Sequence, residues 1–281
     1  MRLCKTVEEV RSFVTSVRFE GKTVGLVPTM GYLHPGHLSL VHEAKRRCDV
    51  VVVSIFVNPT QFGAGEDYQT YPRDLQRDAG LVADAGVDAI FAPEAAEMYP
   101  PGFSTSVDVA GVSEPLCGAS RPGHFRGVAT VITKLFNIVR PDMAFFGQKD
   151  FQQVLLIKRL VEDLNMDIQI VDVPIVREAD GLAMSSRNVY LSEEDRKAAL
   201  VLSRSLSLAR QLVAEGERDV ARLKERVVRE IQSEPRAEID YVEILSVPHL
   251  KQLDLLADNA LLALAVRFGK TRLIDNTVLE A

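Results

Sequence analysis

Two histidines three residues apart, His34 and His37, follow an apolar run and a Pro-Thr-Met-Gly approach in the stretch Val24 to Leu38. Val24 to Val27 reads as a buried parallel strand whose ladder Pro28 is expected to stop, and Gly31 permits a turn close to the strand end. Pro35 then falls where a helix's first turn tolerates it, with Leu38, Leu40, Val41 and Ala44 spaced as an apolar helix face. Imidazoles placed there meet free backbone N–H groups and the positive end of the helix, which together make an anion site. Gly36 between them offers no side chain to obstruct a phosphate. The chemistry this suits is that of a nucleotide. The plainer alternative is a pair of histidines acting as a cap or lying on the surface. Zinc is disfavoured, because no third ligand is near and the cysteines are scattered at Cys4, Cys48 and Cys117.

Attack at a nucleotide α-phosphate asks the protein for positioning and for positive charge where negative charge grows. His34 and His37 can donate to phosphate oxygens, Lys149 supplies a point charge, and Arg187 offers a planar fork. Ser185 and Ser186 add hydroxyls in a loop able to close over a triphosphate. Asn58, Gln61 and Gln153 are uncharged donor–acceptors that suit the hydroxyls and carboxylate of a small polar substrate, or else cap neighbouring turns. Lys149 beside Asp150 also reads as a solvated pair. Asp67, Asp74 and Asp78 lie near the second loop and read either as metal contacts or as a charged helix start. There is no Gly-x-x-x-x-Gly-Lys-Ser/Thr, no Gly-x-Gly-x-x-Gly after a strand and no Gly-x-Ser-x-Gly elbow, which disfavours three large enzyme classes.

The elements that must hold these groups read as alternating strands and helices. An amphipathic helix over 6–18 precedes the first strand. Val50 to Val57 is a β-branched run suited to a strand buried on both faces, and it exits into Asn58-Pro59-Thr60-Gln61. A helix over 73–85, a strand at Val87 to Ala92, an irregular stretch from Glu94 to Gly123, and a buried helix from Val128 to Val139 follow. Asp142 to Phe146 is a fourth strand, opening through Gly147-Gln148-Lys149-Asp150 into a helix, and Ile168 to Val173 is a fifth. Right-handed crossovers set such strands in parallel. Three polar loops then fall at strand C-terminal ends, where open parallel sheets collect ligands.

After Pro174 the composition changes. One long helix is expected from the Ser192 N-cap with Asp195 three residues on, and a second over 219–232. Ile239 to Ile244 and Thr271 to Asp275 alternate as strands with one solvated face. The expected domains are residues 1–176, an α/β parallel sheet, and 177–281, a smaller α+β domain that closes over the site. At 281 residues, with 47% hydrophobic and 26% charged residues and a net charge of −6, the composition is that of a soluble globular chain with no nucleic-acid footprint. The apolar runs Val50–Val53 and Ala260–Val266 are too short to span a bilayer. The acidic start and the unpaired cysteines fit a cytoplasmic protein.

Pro28-Thr29-Met30-Gly31-Tyr32-Leu33-His34-Pro35-Gly36-His37 resembles a signature of the pantoate–β-alanine ligase family. So do Asn58 to Phe62, Arg121 to Val128, Phe146 to Gln153 and Arg177 to Asn188, in the family's order over roughly residues 20–190. His-x-Gly-His alone marks only a wider nucleotidyltransferase superfamily. The resemblance implies a Rossmann-like N-terminal domain, a homodimer, and condensation of (R)-pantoate with β-alanine through pantoyl adenylate, releasing AMP and pyrophosphate. By position it assigns ATP to Met30, Gly31, Tyr32, Leu33, His34, Pro35, Gly36 and His37, to Gly147, Gln148, Lys149 and Asp150, and to Val176, Met184, Ser185, Ser186 and Arg187. His37 takes the proton-donor role with His34 beside it. Gln61 would contact pantoate and β-alanine, and Gln153 pantoate. Mg2+ is expected on the triphosphate, without a protein cage. Two alternatives are a nucleotidyltransferase that leaves the nucleotide on its product and a non-catalytic nucleotide sensor; release of free AMP separates the ligase from both.

Overall fold

The computed structural model describes residues 1–281, which divide into two compact units. Met1–Ser113, Arg121–Gln148 and Gln152–Pro174 form the first; Glu114–Ser120, Lys149–Phe151 and Ile175–Ala281 form the second. In chain order the elements begin with β1 (Arg2–Cys4), α1 (Val7–Phe19), β2 (Val24–Thr29), α2 (Pro35–Arg47), β3 (Val50–Ile55), α3 (Leu75–Asp84), β4 (Ala89–Phe91) and α4 (Ala95–Met98). They continue with α5 (Cys117–Ser120), α6 (His124–Val139), β5 (Met143–Gly147), α7 (Phe151–Asp163) and β6 (Gln169–Val173).

The first unit is a six-stranded, wholly parallel sheet in the order β1-β4-β3-β2-β5-β6. Apolar residues on both strand faces explain it: on one face Val27, Val51, Val53, Ile90 and Phe145 are buried with Leu40, Val41 and Ala44 of α2 and Val82 of α3, and on the other Val24, Leu26, Val50 and Val52 are buried too. Successive strands run outward from β2 to β3 to β4, and β5 then returns to the other side of β2. The strand order therefore reverses between β2 and β5, and a sheet of this kind binds ligands at the carboxyl ends flanking that switch point.

The sheet has one strand more than expected. β1 spans three residues at the edge, too short for any periodic signal, and is fixed by pairing Arg2, Leu3 and Cys4 with Ala89, Ile90 and Phe91. Pro28 does not end its strand. Pairing with β5 stops at Leu26, but the ladder with β3 continues through Pro28 and Thr29. The buried helix begins at His124 rather than Val128, because Gly123 at φ 83° turns the chain into it.

The second unit adds α8 (Glu193–Ala198), α9 (Val201–Ala214), α10 (Val220–Gln232) and the antiparallel strands β7 (Ala237–Ser246), β8 (Ala260–Phe268) and β9 (Thr271–Leu279), ordered β7-β8-β9. Ser192 is the N-cap foreseen, accepting from the Asp195 N–H. The long helix is nonetheless broken, since the Leu200 and Leu202 amides reach back three residues, to Lys197 and Ala199. Leu202, Leu206, Leu223, Val227 and Ile231 pack with Leu262, Leu264 and Val266 as its core. The apolar run at Ala260 is thus the central strand, buried on both faces.

Candidate active site

The loop after β2 is shaped before any side chain takes part in chemistry. Gly31 at φ 84° and Tyr32 at φ 50° turn the chain sharply. A Cβ at Gly31 would stand 3.0 Å from Ile55 and 3.1 Å from the Asp78 carboxylate, so only glycine fits without displacement. Asp78, fully buried on α3, accepts the Tyr32 N–H (2.6 Å) and the Leu33 N–H (2.8 Å), while Arg77 pairs with it at 3.2 Å and donates to the Leu33 carbonyl. Burial pushes the Asp78 carboxyl above its ordinary range despite these donors. Asp78 is therefore a brace for the loop, and its helix-start position conceals a role that contacts across 45 residues create.

His34 is the N-cap of α2, and its Nδ1 accepts the Gly36 N–H at 3.1 Å. His37, at the third helical position, accepts the His34 N–H on its own Nδ1 at 3.3 Å, and the rings lie 4.0 Å apart. A nitrogen that accepts an N–H carries no proton, so each neutral ring holds its proton on Nε2. Both rings are thereby Nε2 donors. The first turn of α2 contains no acidic residue, whereas Lys45, Arg46 and Arg47 occupy its last turn. The anion-attracting end keeps its positive field.

The loop after β3 lies beside this one, since β3 neighbours β2. Asn58, almost fully buried, donates to Gln61 Oε1 (3.1 Å) and to the Gly127 carbonyl (3.1 Å), and accepts from Tyr99 OH (2.7 Å) and from Thr60. Burial raises the Tyr99 phenol above its usual range, keeping that donor protonated. The Gln61 amide nitrogen meets Met30 Sδ at 3.3 Å, which brings the second loop into contact with the first. After β5, the Gln148 amide donates to Asp172 on β6 (2.9 Å), and Gln153 lies half-buried in the first turn of α7. The structure thus gathers the His34–His37, Asn58–Gln61 and Gly147–Gln148 groups along adjacent strand ends.

Lys149, Asp150, Val176, Met184, Ser185, Ser186 and Arg187 belong to the second unit. Lys149 and Asp150 pair at 3.9 Å, and the Lys149 carbonyl accepts from Asn276 on β9 at 2.8 Å. The Met184 N–H donates to the Val176 carbonyl, so these two assigned residues are neighbours across a short antiparallel bridge. Ser185 caps the turn Ser186–Tyr190 by accepting the Arg187 N–H. Arg177 clasps the buried Asp275 through two bonds (2.6 and 2.9 Å), and Arg196 binds Glu178 and Asp180. Asp275 and Asn276, adjacent on β9, hold both polar segments, yet their stretch of sequence carries no recognisable motif.

A parallel α/β sheet with polar loops at its switch point and a histidine-capped helix defines the class of ATP-binding ligases to which the chain's relatives belong. The chain matches the family model described as Pantoate-beta-alanine ligase over residues 2–278. It is 62% identical over 279 residues to pantothenate synthetase of Pelotomaculum thermopropionicum, and 61% identical over 280 to that of Heliobacterium modesticaldum, spanning at least 99% of each chain. The structure of pantothenate synthetase from Thermus thermophilus superposes with a TM-score of 0.94 at 48% identity, covering 99% of both chains. Pantoate-beta-alanine ligase of Francisella tularensis, complexed with beta-gamma ATP and beta-alanine, superposes at 0.81 and 35% identity, covering 99% of this chain and 97% of that one. This chain belongs to the pantoate–β-alanine ligase family.

Proposed function

We propose that the chain joins (R)-pantoate to β-alanine through pantoyl adenylate, with the residues assigned above as its binding groups. The observation that carries this reading is the double imidazole cap of α2, whose neutral rings carry their protons on Nε2 at a helix end free of acid. In the first step a pantoate carboxylate oxygen attacks the α-phosphorus and the bond to pyrophosphate breaks. Nε2–H groups of His34 and His37, the Lys149 ammonium and the Arg187 guanidinium stabilise charge growing on phosphoryl oxygens. His37 acts as a hydrogen-bond donor at Nε2 and need not surrender its proton. In the second step the β-alanine amine attacks the acyl carbon, AMP leaves and the amine loses a proton. Gln61, ordered by Asn58, offers an amide to both acid substrates, and Gln153 a second to pantoate.

No three His, Cys, Asp or Glu side chains gather as a metal cage. Mg2+ would travel with the triphosphate, shielding its charge, held mainly by phosphate oxygens and water. No helix is long and apolar enough to cross a membrane. A cytoplasmic homodimer is the proposed setting: three free buried cysteines suit a reducing compartment, and sedimentation of the purified chain tests the dimer.

The deciding assay follows pyrophosphate and AMP from ATP, Mg2+ and (R)-pantoate, with and without β-alanine. Pyrophosphate stoichiometric with enzyme from pantoate alone, becoming catalytic together with AMP once β-alanine is added, is the expected result. Product retaining the nucleotide would favour a nucleotidyltransferase, and ATP binding without pyrophosphate would leave only a sensor. Gln61→Ala is expected to raise the pantoate KM about tenfold or more, as loss of a buried hydrogen-bonding group does, while ATP affinity stays unchanged. Equal loss of both would point to collapse of the loop.

A further inference from the structure

His124 opens α6 in the Arg121-Pro122-Gly123-His124 stretch and touches two groups of opposite hydrogen-bonding character. Its Nδ1 lies 2.9 Å from the Gln61 carbonyl, and its Nε2 lies 3.1 Å from an Arg121 guanidinium nitrogen. A carbonyl only accepts and a guanidinium only donates, so Nδ1 must carry the proton and Nε2 the lone pair. This tautomer is the reverse of the one fixed in His34 and His37. Arg121 is itself fastened by two bonds to Glu66 (2.7 and 2.6 Å), and its second terminal nitrogen reaches the same Gln61 carbonyl at 3.3 Å.

We propose that His124, held as the neutral Nδ1–H tautomer between Arg121 and the Gln61 carbonyl, is a positioning residue for substrate binding by Gln61. The proposal rests on the reading that Gln61 binds pantoate and β-alanine. The side-chain amide of Gln61 is aimed by Asn58, and its backbone is pinned by His124 and Arg121. Charged groups beside the ring include Arg121 and Glu66, and the Phe125 ring packs at 4.9 Å. A second proton on the ring would occupy Nε2, remove its bond from Arg121 and set two cations 3.1 Å apart. Acid then loosens the pantoate site through His124.

Two measurements on the full chain test this. Long-range proton–nitrogen NMR at neutral pH is expected to show a ring with Nδ1 protonated among the five histidines, and to lose that signal in His124→Asn. A spectrum of the unsubstituted chain with no Nδ1–H ring overturns the proposal, whatever happens to the variant's folding. Steady-state kinetics at saturating ATP and β-alanine provide the functional readout. The pantoate KM is expected to rise about tenfold as the ring protonates, the cost of losing one buried hydrogen bond. Asparagine keeps a short donor toward the Gln61 carbonyl and cannot titrate, so His124→Asn should flatten that limb. An unchanged acid limb in the variant refutes the role. Should Gln61→Ala leave the pantoate KM unaltered, the assignment of Gln61 fails instead, and the tautomer result stands apart from it.

Discussion

Lys149, proposed as a cation for the phosphates, is a side chain of ordinary appearance held through its backbone. Its backbone carbonyl is held by Asn276, and its ammonium is only loosely engaged with Asp150 at 3.9 Å. Lys149→Ala should slow single-turnover formation of pantoyl adenylate about 10²–10³-fold, the usual loss for one transition-state donor, while thermal unfolding stays near that of the parent. An unchanged rate would remove Lys149 from the chemistry. Asp78→Asn tests the brace on the loop proposed to hold ATP. One amide oxygen replaces two carboxylate acceptors, so either the Tyr32 or the Leu33 N–H is left buried without its partner, at about 1–3 kcal/mol. ATP affinity measured by calorimetry is expected to fall with that stability, with the Asn side chain unable to restore it.

At the scale of elements, α6 and the turn Pro59–Gln61 meet backbone to backbone at Gly127. A Cβ on Gly127 would stand 2.4 Å from the Thr60 carbonyl oxygen and 2.6 Å from Gln61 Cα. Both are backbone atoms and cannot step aside as a flexible side chain would. Gly127→Ala is therefore expected to cost about 1–3 kcal/mol or more in denaturant unfolding and to raise the pantoate KM, because the displaced turn carries Gln61. Strongly patterned elements were legible in the sequence: the β-branched run of β3, the apolar face of α2, the Ser192 cap and the alternation in β7 and β9 all have local causes. What was not legible depends on partners far along the chain. β1 exists because β4 offers an edge, and Pro28 stays in its strand because β3 pairs beyond it. The α8–α9 break falls at Ala199-Leu200, where no Gly or Pro announces it. In the same way His34, His37, Asn58, Gln61 and Lys149 could be picked out from their types and spacing, whereas the groups that hold them and their loops could not. Asp78, Tyr99, Glu66 and Asn276 act across separations of roughly 41 to 127 residues.

For the whole molecule, acid should weaken the fold through the same ion pairs that order the site. Burial would raise the Glu66 carboxyl, but the Arg121 fork outweighs it and holds the group below its ordinary 4.5. Asp172 is likewise held below its usual range, burial being outweighed by Lys158 and Gln148. A depressed carboxyl contributes stability that is complete above the unfolded value and drains as pH falls through the folded one. Glu66→Gln should thus lose about 2 kcal/mol at neutral pH and show a shallower decline of stability below pH 4.5. A parallel decline in parent and variant would show that the Arg121 pair contributes nothing to acid sensitivity.

The division of the chain also bears on the order in which it can be made. Glu114–Ser120 and Lys149–Phe151 are counted with the second unit although they are synthesised before most of it. Cys117 meets Tyr241 and Arg272, the latter 155 residues downstream, and the Lys149 carbonyl finds Asn276 across 127. A nascent chain on the ribosome can therefore complete all six parallel strands while these two segments still lack their anchors. The lysine assigned to the phosphates is secured only when β9 emerges. A chain stalled short of β9 would thus carry a finished parallel sheet while the Lys149 carbonyl still lacked its Asn276 donor.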